Sequence, residues 1–305
     1  MPLSAVFLLA ALAGAEPPSV SLQTSPRPEE IRATEGLTHV VLEVRDGAGA
    51  PVRNAWLAYV LRAPTRSRWI STDVPVVEGT QLLSGREQLS NGRVSFDYRF
   101  PLRGTYLLTV AVTPEEGAAV NRVFAVRVGE RSGEARNLAI LLVGLLGLGL
   151  AFGMLFARAA RAHRVSRTTF LGVLLLLAAA SPARAHDTLQ VRAPGRTVTR
   201  DASGTVQASL EVGGPVRVGV AAPVRWTLVE LATGRLVPDV QWELAVLDEE
   251  HGDSIFRSVF QTREGSFVRH HQFTDGAPHR VVLRARPTPG GARSFSPVEL
   301  ALPVR

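Results

Sequence analysis

The sequence predicts a mainly β protein, built as two antiparallel β-sandwich domains separated by one or two transmembrane helices, and three observations carry that expectation. Short segments alternate apolar and polar residues between Gly/Pro turns, on both sides of the chain's centre. A run without charge, Leu138 to Ala157, divides them. The order of strands and turns before that run also returns after it.

Met1 to Ala15 (MPLSAVFLLAALAGA) has an apolar stretch and ends with Ala13 and Ala15, the small residues that precede a signal-peptidase cut, so residues 1–15 read as a signal peptide. Glu16 to Ile31 is rich in proline, serine and charge and reads as an extended leader. From His39, HVVLEVRD sets Val40, Leu42 and Val44 against Val41, Glu43 and Arg45, and Asp46-Gly47-Ala48-Gly49 turns the chain. Pro51 to Leu61 is nearly continuous in apolar character, which suits an inner strand. Thr65 to Asn91 is longer and less regular. Strands then follow at Arg93 to Phe100, at Thr105 to Thr113 and at Arg122 to Val128. Short strands with Gly/Pro turns and no helical period give residues 16–136 as an immunoglobulin-like sandwich.

The second domain, residues 186–305, repeats this grammar. TVQASLEV and PVRVGV are strand candidates between Asp201 and Val220. Val224 to Glu230, Gly234, Val237-Pro238-Asp239 and Val240 to Leu247 follow the order of Val41 to Val44, Gly49, Val52-Arg53-Asn54 and Ala55 to Val60. Gly265 through Gly276 and Val281 to Ala285 parallel Gly92 through Gly104 and Leu107 to Ala111. Two copies of one module explain this order; period two and turn glycines, which recur in any pair of β-sandwiches, are the simpler alternative.

Between the domains, residues 137–157 match the thickness of a hydrocarbon core as a helix. Arg158, Arg161, Arg164 and Arg167 in the following loop, 158–168, hold that end on the cytoplasmic side. The apolar run Phe170 to Ala180 in residues 169–185 is short and ends in Ser181-Pro182-Ala183-Arg184-Ala185, so it reads either as an internal signal peptide cut before His186 or as a second transmembrane helix. Both readings leave both domains outside the cytoplasmic membrane.

Composition narrows the function. All 34 basic residues are arginine, and the formal charge is +7. They are scattered among strand-like segments without interleaved aromatics, which speaks against nucleic acid as a partner. There is no cysteine, which excludes disulfides, thiolate zinc sites and blue-copper centres. No G-x-S-x-G, phosphate loop or dinucleotide fingerprint occurs, so nothing in the sequence points to an enzyme.

The passage D-G-x-G-x-P-V-x-x-A at Asp46 to Ala55 and G-T-Y-x-L-T-V at Gly104 to Val110 resemble the FixH/YtkA-like group of exported immunoglobulin-like domains. That resemblance implies membrane-tethered envelope proteins, some linked to copper supply or oxidase assembly. The methionine-containing stretch of that group is absent here, where only Met1 and Met154 occur, so a thioether copper site has no support.

Five of the seven histidines, His186, His251, His270, His271 and His279, lie in the second domain and are the candidate metal ligands, not all in one site. A chain beginning at His186 would offer its amine and imidazole to Cu(II) as a chelate, with a second histidine completing a brace. This junction resembles CopC-like copper carriers and copper polysaccharide oxygenases, and Asp187 stands beside it. The simpler reading is a row of surface histidines: His251 sits in a polar turn, and adjacent His270 and His271 must face opposite sides of a strand. Trp56, Trp69, Trp226 and Trp242 are a possible sugar-stacking set, but three lie in strand candidates and read as core. The expected protein is therefore an integral membrane, non-enzymatic binding or assembly module whose partner is another envelope or membrane protein. Copper binding through His186 is the alternative, and oxidative polysaccharide cleavage a remote third.

Overall fold

The computed structural model describes residues 17–66, 74–115, 118–131, 133–162, 195–214, 216–274, 276–289 and 294–304. The chain forms two compact units, one of Met1–Gly129 with Gln190–Arg305 and the other of Glu130–Leu189. The first half contributes β1 (Ser19–Ser25), β2 (Thr38–Arg45), β3 (Ala55–Arg62), β4 (Gln81–Leu89), β5 (Arg93–Tyr98), β6 (Gly104–Thr113) and β7 (Val120–Val128). The second contributes β8 (Gly195–Arg200), β9 (Val206–Val212), β10 (Ala221–Glu230), β11 (Val240–Asp248), β12 (Ser254–Thr262), β13 (Ser266–Gln272), β14 (His279–Pro287) and β15 (Val298–Val304).

These strands make two sheets, and each sheet takes strands from both halves. One runs β1-β2-β5-β12-β11-β14-β15 and the other β7-β6-β3-β4-β13-β10-β9-β8. The order β1-β2-β5 reappears as β9-β10-β13, and β7-β6-β3-β4 as β15-β14-β11-β12. The repeat seen in the sequence is thus also a repeat of strand order. The halves join where β5 pairs β12, from Phe96 opposite Ser258 to Tyr98 opposite Phe256, and where β4 pairs β13 at Ser84 opposite His270 and Leu83 opposite His271.

Backbone conformation follows the same correspondence. Asn54 and Asp239, just before β3 and β11, both adopt positive φ, 58° and 54°, a region that Asn and Asp tolerate better than other residues with a side chain. Gly92 and Gly265 also match. A Cβ at Gly92 would stand 2.7 Å from the Val44 carbonyl oxygen and one at Gly265 would run into the Val237 carbonyl oxygen, so only glycine fits these two turns.

Alternation places the core as expected. Val40, Leu42 and Val44 of β2 are buried, as are Leu57, Tyr59 and Leu61 of β3, and their counterparts Val224, Trp226 and Leu228 of β10 and Trp242, Leu244 and Val246 of β11. Removing each such aliphatic side chain from water contributes roughly 1.5–3 kcal/mol. The continuous apolar run at Pro51 to Leu61 is explained by β3 lying between β4 and β6.

Three segments differ from the sequence reading. Residues 16–31 are not wholly a leader, because β1 pairs β2 along its full length, from Ser19 opposite Arg45 to Ser25 opposite His39. As an edge strand it buries Val20 and Leu22 only in part and tolerates polar neighbours. Val216 to Val220 of PVRVGV form a bridge and turn ahead of β10, with Gly219 at positive φ, and not a strand. The irregular stretch 65–91 contains β4.

At the start of β6 the Tyr106 hydroxyl closes a local loop. It accepts from the Leu102 N–H at 2.8 Å and donates to the Leu102 carbonyl at 2.6 Å, all three groups being buried. Tyr106→Phe strands both backbone groups, and a loss of about 1–3 kcal/mol in a denaturant titration is the expected outcome.

The second unit holds helix α1 (Glu134–Ala162). Its window Arg136–Met154 has mean hydropathy 2.1 and is exposed among the described residues, and by length and composition it is long and apolar enough to cross a membrane. The helix continues past the apolar run and includes Arg158 and Arg161, which the sequence reading assigned to a loop. Among the described residues it is the one helix of this kind. The expected signal peptide at 1–15 and the second apolar run at 169–185 lie outside the described residues, as does His186.

Candidate functional site

The junction of the halves carries a buried ion pair, Glu87 with Arg269, and a buried histidine, His271. Along β13, Arg269 and His271 face inward and are buried, while Val268 and His270 face out. Glu87 occupies the inward phase of β4 in the same way. Arg269, with no exposed surface, donates from Nη2 to Glu87 Oε1, which also accepts from the Tyr59 hydroxyl at 3.1 Å. The guanidinium carbon lies 5.0 Å from the Phe256 ring centre, 4.9 Å from Phe260, 5.7 Å from Phe267 and 5.8 Å from Tyr59. A cation is tolerated in that setting because a carboxylate and several π faces replace water.

Room for the network comes from Gly85. A Cβ there would stand 2.7 Å from the Tyr59 hydroxyl oxygen. Burial raises the Glu87 carboxyl above its ordinary range, and the Arg269 charge with the hydrogen bonds from Tyr59 and Arg269 pulls it only part of the way back. Burial likewise raises the Tyr59 phenol well above its usual value.

Next to this pair, His271 and His279 flank the Phe273 ring, each with its ring centre 5.1 Å away. Both histidines are buried, and neither His271 nitrogen has a hydrogen-bond partner in the structure. Burial, with the charges of His279 and Arg269, pushes His271 down to about 3, so its ring is neutral at ordinary pH. His251 lies elsewhere, in the turn after β11, where its Nδ1 is 2.8 Å from Asp248 Oδ2 and that carboxylate raises its affinity for a proton. His270 is exposed on the outer face, opposite in direction to His271 as strand geometry requires.

Among the described residues, no group of three or more His, Asp or Glu side chains stands close enough to hold a metal ion. His271 and His279 come together around Phe273, while His251 and His270 take separate places. Trp226 and Trp242 are core residues, as expected, tilted against one another in one aromatic cluster with ring centres 6.3 Å apart. Trp56 differs: it is half-buried on the outer face of its sheet, with the Arg86 guanidinium 4.5 Å over its ring. Trp69 lies outside the described residues.

The sequence reading passed over Glu87 and Arg269. A signal was present in the phase of β13, where Phe267, Arg269 and His271 occupy one face, and a charge within an inward series asks for a buried partner.

No family model matches the chain, and no curated protein matches it. Among solved structures, the Yersinia pseudotuberculosis adhesin InvE aligns with 93% of this chain and 58% of its own length, at 11% identity and a TM-score of 0.23. A Ca2+-stabilized adhesin with which an Antarctic bacterium binds ice aligns with 95% of this chain and 48% of its own, at 8% identity and 0.24. The native conformation of E. coli alpha-2-macroglobulin aligns with 96% and 14%, at 12% identity and 0.25. This chain therefore spans about half the length of the two adhesins, and scores this low carry no argument about its activity. The class that the strands and helix define is a mainly β protein of two sheets with, among the described residues, one candidate membrane-spanning helix.

Proposed function

We propose that this is a membrane-anchored envelope protein whose two immunoglobulin-like halves form a non-catalytic, extracytoplasmic module for binding or assembly. The observation that carries the reading is α1, whose apolar window Arg136–Met154 is exposed among the described residues. In water that surface is costly, and in a bilayer it is matched to its surroundings. Strand pairing supports placing both halves on one side, because β4 with β13 and β5 with β12 must share a compartment. After α1 the sequence offers an apolar run at Phe170 to Ala180 and an A-x-A site, the expected means of bringing the second half to the same side. The Tyr106 loop supports the immunoglobulin-like reading, since a tyrosine near the start of a late strand plays this part in such sandwiches.

The test is alkaline extraction of envelope membranes, joined to protease treatment from the outer side of intact spheroplasts. The expected result is a protein that stays in the pellet and loses both halves to protease, with release into the supernatant when residues 138–157 are deleted. A wild-type protein released by alkali, or shielded from outside protease in both halves, overturns it.

A further inference from the structure

A second feature of the junction faces outward, and it deepens the binding reading by naming a ligand class. β4 and β13 pair at only two positions, beside Ser84 and Leu83, and beyond them the strands part. The gap opens as a cleft of about 620 Å³ lined from both halves, by exposed side chains such as Arg225 and Arg263 and by the inward-facing rings of Trp226 and Phe267. Trp56, Arg86 and Gln88 come from one half, and Arg225, Gln261 and Arg263 from the other. Glu264 is the one carboxylate in the lining, set against three arginines.

The chemistry of the lining selects among ligands. Arg86 lies over Trp56 at 4.5 Å, which makes a flat, cationic platform. Arg225 is exposed and has no ion pair among the described residues, and Arg263 spends one N–H on Asn54 Oδ1 at 3.0 Å, leaving the rest of its fork open. Guanidinium forks match carboxylates in geometry as well as charge. The two glutamine amides add neutral donors and acceptors suited to hydroxyl groups. A flat aromatic and cationic surface, neutral amides and a surplus of arginine together fit a chain of sugar rings bearing carboxylates.

We propose that this cleft is a binding site for an acidic polysaccharide, a uronate-containing chain, with Trp56 and Arg86 meeting a ring face and Arg225 and Arg263 holding carboxylates. The proposal rests on the reading of the protein as a binding module. Its own test uses the full chain purified in detergent, independent of where the protein resides, so that failure here and failure of membrane anchoring are separate results.

Calorimetric titration with hexameric galacturonate and with hexameric mannuronate provides the probe, the methyl esters serve as uncharged counterparts, and poly-glutamate serves as a non-sugar polyanion. Binding of at least one uronate hexamer is expected, with about tenfold weakening on Arg225→Gln or Arg263→Gln, the effect of losing one charge-assisted contact. Trp56→Ala is expected to weaken it by a similar factor, and Arg225→Gln, at an exposed position, keeps the test open if that variant unfolds. Methyl esters are expected to bind at least tenfold more weakly. The proposal is overturned if neither hexamer binds, if the two arginine variants bind like wild type, or if poly-glutamate binds as tightly and is lost with the same variants.

Discussion

Arg269→Ala is expected to lower the free energy of unfolding by about 3–5 kcal/mol, the range for removing one partner of a buried ion pair. The cost lies mainly in what remains. Glu87 is buried with a single hydrogen-bonding hydroxyl, Tyr59, still beside it, and its charge has lost the cation that offset burial. The double variant Glu87→Leu with Arg269→Met replaces the pair by apolar groups of comparable length and is expected to recover most of the loss. Urea titration of the full chain in detergent, followed by the fluorescence of buried Trp226 and Trp242, measures both. A loss below about 0.5 kcal/mol for Arg269→Ala, the ordinary scale of a surface substitution, would refute the burial of the pair. Because Glu87 and Arg269 belong to different halves, the same titration asks whether those halves unfold together: one transition in wild type and two in Arg269→Ala would identify the pair as a staple between them.

What the sequence made legible, and what it hid, follows from where each strand finds its partner. Strands β2, β3, β6, β10, β11 and β14 have their inward residues filled by Val, Leu, Tyr and Trp, and their alternation is plain without a structure. The repeat was legible for the same reason, since Asn54 with Asp239 and Gly92 with Gly265 serve turns that any copy of the module must make. Strands β4 and β12, which stand in corresponding places and form the junction, were not read as strands. In β4 the inward series runs through Gly85 and Glu87, residues that make sense only once Tyr59 needs space and Arg269 arrives from β13 of the other half. Edge strands β1 and β8 are not evident in the sequence because a strand with one neighbour tolerates polar residues, as in SVSLQTS and GRTVTR; β15 keeps its alternation, with Val298, Leu300, Leu302 and Val304 buried, and the sequence reading passes over it all the same. The cleft is half visible in the sequence: Trp56 reads as a core residue there, since a strand's sequence does not say whether a ring on its outer face will be covered.

Acidification is expected to weaken the molecule, with His271 setting the range. In the unfolded chain its imidazole takes a proton near pH 6.5, whereas in the folded state the burial among Phe256, Phe273, His279 and Arg269 holds it down to about 3. Between those values the unfolded chain binds a proton that the folded chain does not, so stability falls as pH falls. Its contribution is fully present above about pH 6.5 and lost at about 1.4 kcal/mol per pH unit, reaching at most about 5 kcal/mol near pH 3. Glu87 works in the opposite sense: its carboxyl is raised on folding, so the folded chain takes up a proton more readily and part of the loss is offset at the acid end. Comparing His271→Leu with wild type isolates the histidine, because Glu87 titrates in both. The expected outcome is a flatter stability profile from pH 6.5 down to pH 4 in the variant, with little difference between the two proteins at pH 8. Parallel profiles would mean that the imidazole reaches water, and the buried neutral ring beside Phe273 would have to be given up. A steep wild-type profile that flattens in His271→Leu places the acid-sensitive group at the seam between the halves, since His271 stands in β13 directly opposite Leu83 of β4.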